Sequence, residues 1–200
     1  MMEKCNVIIT GVGGQGMLLA CRVIGQVFQN HFDDVRLSEL HGMSQRGGSV
    51  VTYVKGGKRI YSPLIKTGEA DLALSFEKLE SFRHVSALKK DGILIANTQE
   101  IMPMPVITGA AEYPHDIVER YVSNGMKVDA IDAFSLAKEA GSVRAVNMVL
   151  IGRVSTYFDF PEEEWLDAMK ACIRPQFIDM NLKAFSLGRG ILKEKAGILK

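Results

Sequence analysis

Cysteine is scarce in this chain and never clustered: Cys5, Cys21 and Cys172 stand far apart. No C-x-x-C pair or grouped spacing is available to hold zinc or an iron–sulfur centre, and each cysteine reads as a small buried hydrophobe. An excess of charge of either sign is also missing. Lys and Arg total 24 against 23 Asp and Glu, a net charge of +1, so no broad field attracts nucleic acid or an anionic membrane surface. No apolar run approaches the ~20 residues that cross a bilayer. Met1-Met2-Glu3-Lys4 leads directly into a strand pattern without the apolar length of a signal peptide. These absences lead us to expect a cytoplasmic protein with neither nucleic acid nor membrane as partner. Repeats, low-complexity tracts and linkers are absent as well. With 47% hydrophobic residues the chain can bury a sizeable core, and a single domain over residues 1–200 is the expectation.

What is present is concentrated near the amino end. Gly11-Val12-Gly13-Gly14-Gln15-Gly16 follows the apolar run Val7-Ile8-Ile9 and opens a segment in which Met17, Ala20, Cys21, Ile24, Val27 and Phe28 recur at helical spacing. Strand, glycine turn and helix start together build a cradle. The glycines admit positive φ and close approach of a ligand, and the helix start offers unpaired N–H groups and a positive dipole end to an anion. Gly11, Gly13 and Gly16 satisfy G-x-G-x-x-G, and Glu39 ends a second strand-like run at roughly the distance of a ribose-binding acid. An NAD(P)-binding oxidoreductase is therefore one reading. A turn that only packs strand against helix, in a non-catalytic scaffold, is another.

The stretch Ser38-Glu39-Leu40-His41-Gly42-Met43-Ser44-Gln45-Arg46-Gly47-Gly48-Ser49 crowds an acid, an imidazole, a guanidinium and three glycines behind a predicted strand, where open α/β sheets bind ligands. Arg46 is suited to bidentate contact with phosphate or carboxylate. Gly47 and Gly48 let the backbone bend back toward it. His41 changes charge near neutral pH and is a candidate acid, base or donor, while Glu39 is equally able to pair with Arg46.

Gly11 to Gly16 together with Glu39 to Gly48 and Ser49-Val50-Val51 resembles the gamma-type domain of the 2-oxoacid:ferredoxin oxidoreductases. The His-Gly-Met-Ser-Gln variant favours the indolepyruvate branch. Asn147-Met-Val-Leu-Ile-Gly152 and Asn181-Leu-Lys-Ala-Phe-Ser-Leu-Gly-Arg189 extend the match over nearly the whole chain. The chain itself shows no thiamine-type acidic motif and no Ser/His/Asp context, so a self-sufficient active site is not expected. The resemblance implies a larger partner subunit that carries thiamine diphosphate and 4Fe–4S clusters, decarboxylates a 2-oxo acid and passes electrons to ferredoxin. Coenzyme A takes the acyl group. In this chain it implies cofactor contacts at Gly11, Gly13, Gly14, Gln15, Gly16, Glu39, Gly47 and Gly48, with Arg46 beside Gly47 and Gly48 on the coenzyme A path and His41, Ser44 and Gln45 facing the substrate cavity.

The rest alternates strand and helix, which predicts an α/β fold: an open, mostly parallel, Rossmann-like sheet flanked by helices, with a small β-hairpin and a helical C-terminal part. The hairpin is placed at Ser49–Val54 and Lys58–Tyr61 around Lys55-Gly56-Gly57. Further strands are expected at 71–76, 92–97 and 127–131. Between the first two of these a helix is expected through Leu79, Phe82 and Leu88, and another later on Ile117, Val118, Tyr121 and Val122. Asp132 is the expected N-cap of a short helix ending at Gly141. Val146, Val149, Leu150 and Val154 share a helix face, Pro161 and three glutamates start another helix, and a last one begins at Pro175 and stops near Gly188. The ten methionines, Met102 and Met104 included, are expected to fill the core rather than present a contact surface.

Overall fold

Cys5, Val7 and Ile9 alternate with Asn6, Ile8 and Thr10 along the first strand, and both sets are buried, as in a strand covered on two faces. The computed structural model describes residues 2–42 and 47–190. Its elements in chain order are β1 (Lys4–Val12), α1 (Met17–Phe28), β2 (Asp34–His41), β3 (Ser49–Gly57), β4 (Ala70–Ser75), α2 (Lys78–His84) and β5 (Leu88–Asn97). They continue with α3 (Met104–Ile107), α4 (Ile117–Ser123), β6 (Lys127–Ile131), α5 (Ala133–Ala140), α6 (Val146–Ser155), α7 (Glu162–Cys172) and α8 (Ile178–Gly190). The six strands form one sheet in the order β2-β3-β1-β4-β5-β6. β1, β4, β5 and β6 run parallel, whereas β3 lies antiparallel between β2 and β1. The open, mostly parallel α/β sheet is thus present.

The two sheet faces carry different covers. Val7, Ile9, Val54, Leu74 and Ile95 pack with α1, α5, α6, α7 and α8 into the larger core; Ile8, Val51, Ala73 and Leu94 pack with Ile65, Ile117 and Tyr121 into the smaller. All ten residues of α6 are buried, because the helix is enclosed between the sheet side and α8. The last third of the chain therefore covers the sheet as a helical layer, with Trp165 and Phe185 wholly buried.

Local capping follows the chemistry. Asp132 accepts from the Ser135 N–H at 3.0 Å, and Gly141 ends α5 at φ 118°, so the expected cap and stop are both in place. Pro161 precedes the glutamate-rich first turn of α7, where acids complement the helix dipole.

Four expectations need correction. β3 runs unbroken to Gly57, and Lys58–Tyr61 is not a strand; the hairpin is made by β2 and β3 instead. Gly56 does not turn the chain but lies in extended backbone, where a Cβ would collide with the Phe32 ring. Phe82 is exposed, and Leu88 belongs to β5, since α2 ends at His84. Gly188 does not stop α8, which continues to Gly190. Met17, Met148 and Met169 do fill the core, but Met102 and Met104 are 38% and 66% exposed, held outside by the Pro103 and Pro105 turn of α3.

Cys5 and Cys21 are buried and Cys172 is partly buried. Burial, with Glu39 adding to it, pushes the Cys21 thiol up to about 12, and burial raises Cys5 well above the ordinary range. At pH 8 only about one Cys21 in ten thousand is then thiolate, the reactive form. Titration of the native chain with a thiol-specific chromogenic disulfide is expected to detect at most Cys172 rapidly, and all three thiols in denaturant. Rapid reaction of two or more native thiols contradicts this packing.

Candidate functional site

The glycine turn leaves β1 at its carboxyl end and hands the chain to α1. Gly16 occupies the N-cap position at φ 82°, in the left-handed region that disfavours side chains, and no side chain caps the helix. The dipole end of α1 is thus left to main chain and to whatever approaches it. Gln15 turns inward: its Oε1 accepts from the Val12 N–H at 2.7 Å and its Nε2 donates to the Phe76 carbonyl at 3.1 Å. Asn97 Nδ2 donates to the same Phe76 oxygen at 3.0 Å, so one carbonyl after β4 ties together the ends of β1 and β5. Gly11 is buried beneath the turn, where a Cβ would stand 2.7 Å from Met17 Sδ.

The second loop meets the first. The β1–β3 ladder ends at Val12 opposite Ser49, but its bonding continues: the Gly13 N–H donates to the Gly48 carbonyl at 2.9 Å and the Gly47 N–H to the Gly13 carbonyl at 3.3 Å. Gly47 sits at φ 75°, which lets the chain turn back onto Gly13. Ser49, just beyond, donates to the buried Glu80 carboxylate at 2.5 Å, and Glu80 also accepts from Arg83 at 2.7 Å. His84 lies 3.4 Å from Ser49 Oγ; burial lowers its pKa.

Beside this clasp lies a cleft of about 270 Å³ lined by Gly13, Gly14, Gly16, Met17, Leu18, Glu39, His41 and Val50. Glu39 and His41 project on the α1 side of β2, opposite Thr52 and Val50 of β3. His41 is exposed, its Nδ1 3.2 Å from the Gly42 carbonyl. The structure therefore brings Gly13, Gly14, Gly16, Glu39 and His41 to one cleft with Gly47 and Gly48 at its edge. Ser44, Gln45 and Arg46 lie outside the described residues.

Asn147 was not singled out as a site residue by chemistry, yet it buttresses the turn. Its Nδ2 donates to the Gly16 carbonyl at 3.4 Å, and a Cβ on Gly16 would stand 2.8 Å from that nitrogen. Only its place at the head of the Asn147–Gly152 motif signalled it. Leu18 and Val50 add an apolar wall that the spacing of polar residues could not indicate.

The strand order bears on the dinucleotide reading. In that fold the strand with the ribose-binding acid lies next to the first strand. Here β3 separates β2 from β1, which sets Glu39 one strand spacing, about 4.8 Å, further from the turn. Among the described residues no group of three or more His, Cys, Asp or Glu is placed to hold a metal ion. No helix among them is long and apolar enough to cross a membrane.

Fold and clasp together define the class: the chain belongs to the pyruvate ferredoxin/flavodoxin oxidoreductase family, which it matches over residues 6–191. Its relatives narrow the class further. The chain is 41% identical to indolepyruvate oxidoreductase subunit IorB of Thermococcus kodakarensis, with 98% of this chain and 100% of that protein covered. It is also 41% identical to the IorB of Pyrococcus horikoshii, covering 96% and 98%. The fold is shared with the gamma subunit of a keto/oxoacid ferredoxin oxidoreductase from Geobacter sulfurreducens, at TM-score 0.66, 18% identity, and 94% and 95% coverage. It is shared too with 2-oxoglutarate:ferredoxin oxidoreductase from Magnetococcus marinus, solved with 2-oxoglutarate, coenzyme A and succinyl-CoA, at TM-score 0.70 and 16% identity. That match covers 100% of this chain and 33% of the other.

Proposed function

We propose that this chain is the small subunit of an indolepyruvate-type 2-oxoacid:ferredoxin oxidoreductase and that its clasped glycine rim forms one wall of the coenzyme A path. The reaction converts an aryl-2-oxo acid and coenzyme A to the acyl thioester and CO2, releasing two electrons to ferredoxin and one proton. The three cysteines here stand apart, and among the described residues no group of His, Cys, Asp or Glu is placed to hold a metal ion; the family resemblance assigns thiamine diphosphate and 4Fe–4S clusters to the larger partner. When bound in the partner, they supply decarboxylation and electron transfer. This chain contributes positioning.

The observation that carries this reading is the pair of main-chain bonds joining Gly13 to Gly47 and Gly48, which makes two distant loops a single rim. At that rim the uncapped start of α1 favours negative charge, so the diphosphate of coenzyme A belongs there. Glu39 repels phosphate and accepts N–H and O–H donors; it suits the amide-bearing arm of the same molecule. The cleft of about 270 Å³ is small for all of coenzyme A, and the partner closes the opposite wall. Arg46 supplies the phosphate contact and His41, Ser44 and Gln45 the inner lining.

In the assembled enzyme Arg46→Ala is expected to raise the KM for coenzyme A about tenfold or more, the loss of one charge-assisted contact, with kcat changed less. Steady-state kinetics with coenzyme A as the varied substrate measures this. An unchanged KM removes Arg46 from the path.

A further inference from the structure

At the other end of β1 and β3, beyond Lys4 and Gly57, a larger open cavity of about 670 Å³ is bordered by the strand ends, residues 31–33 and the segment after β3. Lys4, Lys55, Lys58, Arg59 and Lys66 line it, with Glu3, Asp33, Glu69 and His31. Among the described residues none of the five cations lies within 4 Å of a carboxylate. Glu69 instead accepts from the Lys66 backbone N–H at 3.2 Å.

The floor is the informative part. Lys55 is only 8% exposed, and its ammonium gives one hydrogen bond, to the Leu64 carbonyl at 3.0 Å, although it carries three donors. A buried charge normally has a charged partner. Burial first, and then the nearby Lys4, lower the Lys55 pKa, while the Glu69 carboxylate of the same cavity works in the other direction. At the mouth, Tyr61 is 85% exposed with the Arg59 guanidinium 5.0 Å from its ring centre, leaving the other ring face open. Its volume lies in the range of small-molecule sites.

We propose that this cavity binds a nucleoside diphosphate, its phosphates against Lys55, Lys4, Lys58 and Lys66 and its base on Tyr61. A diphosphate carries enough oxygens to engage several lysine donors at once, which one carboxylate does not. Coenzyme A contains the same adenosine diphosphate chemistry. The two cavities, however, lie at opposite ends of the nine-residue β1, about 27 Å apart at strand rise, so this site is independent of the coenzyme A reading.

Isothermal titration of the full chain, alone and assembled with its large partner, tests the proposal with ADP and inorganic pyrophosphate as probes. ADP is expected to bind in both states, more tightly than pyrophosphate. Lys55→Met is expected to weaken both probes at least tenfold and to raise the ligand-free melting temperature, because a largely buried ammonium held by one hydrogen bond is removed. Tyr61→Ala weakens ADP and leaves pyrophosphate unchanged. Lys58→Gln with Lys66→Gln, which leaves the core intact, weakens ADP about fivefold by loss of phosphate contacts and keeps the test readable if Lys55→Met does not fold. Arg46→Ala leaves ADP binding as it was. The proposal is overturned by no binding at millimolar ADP, by unchanged affinity in the lysine variants, by loss of the site on assembly, or by loss of ADP binding in Arg46→Ala, which would place the nucleotide at the glycine rim.

Discussion

Gly188→Ala is expected to cost about 3 kcal/mol or more, or to prevent folding, although it exchanges a poor helix former for the best one. α6 and α8 cross at two glycines. A Cβ on Gly188 would be driven into the Val149 carbonyl, and one on Gly152 into the Phe185 carbonyl. In both cases the obstacle is main chain, which cannot rotate aside as a side chain does, so the helices must separate and open the core they share. α6 has nowhere to retreat, being buried along its whole length. Gly190→Ala is the control: among the described residues nothing lies within 4 Å of its added Cβ, and the change is expected to be neutral or to stabilise by up to about 1 kcal/mol. Denaturant unfolding of the two variants checks the contrast. Equal midpoints would mean that the helices do not cross on their glycines.

The second large effect belongs to the far edge of the sheet. Arg153 of α6 is 2% exposed and donates to Asp129 of β6 through Nε at 2.5 Å and Nη2 at 3.1 Å. Tyr157 adds its hydroxyl to the same carboxylate; burial and Asp129 raise the Tyr157 pKa beyond the usual phenol range. Asp129→Ala leaves a guanidinium buried without its carboxylate, and a loss of about 3–5 kcal/mol is expected. Exchanging both partners, Asp129→Leu with Arg153→Met, is expected to recover most of that loss, since no unpaired charge remains. Unfolding free energies of the single and double variants, taken with the Arg153→Met single as a cycle, decide it. A single-site loss below about 1 kcal/mol would show that the pair behaves as a surface ion pair.

Much of the fold was legible because local chemistry and tertiary structure agree. Asp132 and Gly141 bound α5 as their side chains dictate, 127–131 forms β6 as its alternation requires, and the glycine turn sits between β1 and α1. The misplaced hairpin has a different origin. The alternation of Ser49–Tyr61 is the same whether the segment folds on itself or pairs with β1 and β2, and only long-range register separates the two. Gly56 and Gly188 misled for one reason: a residue without a side chain signals either a turn or a contact, and the contact partner, Phe32 in one case and Val149 in the other, lies elsewhere in the sequence. At the site, the turn and the Glu39–Gly48 stretch were legible as a pair through their resemblance. What Gln15 and Asn147 do was not, because both are amides whose hydrogen bonds run to the carbonyls of Phe76 and Gly16 rather than to polar neighbours in sequence.

The fastening between Gly13 and the Gly47–Gly48 pair is made from peptide groups alone, so beyond the glycine that Gly47's positive φ favours it is indifferent to the lettering of the loops it joins. Exposed positions around it can change without loosening the buckle. Inheritance then acts on torsion angles at a few glycines, and diversification on everything that hangs from them.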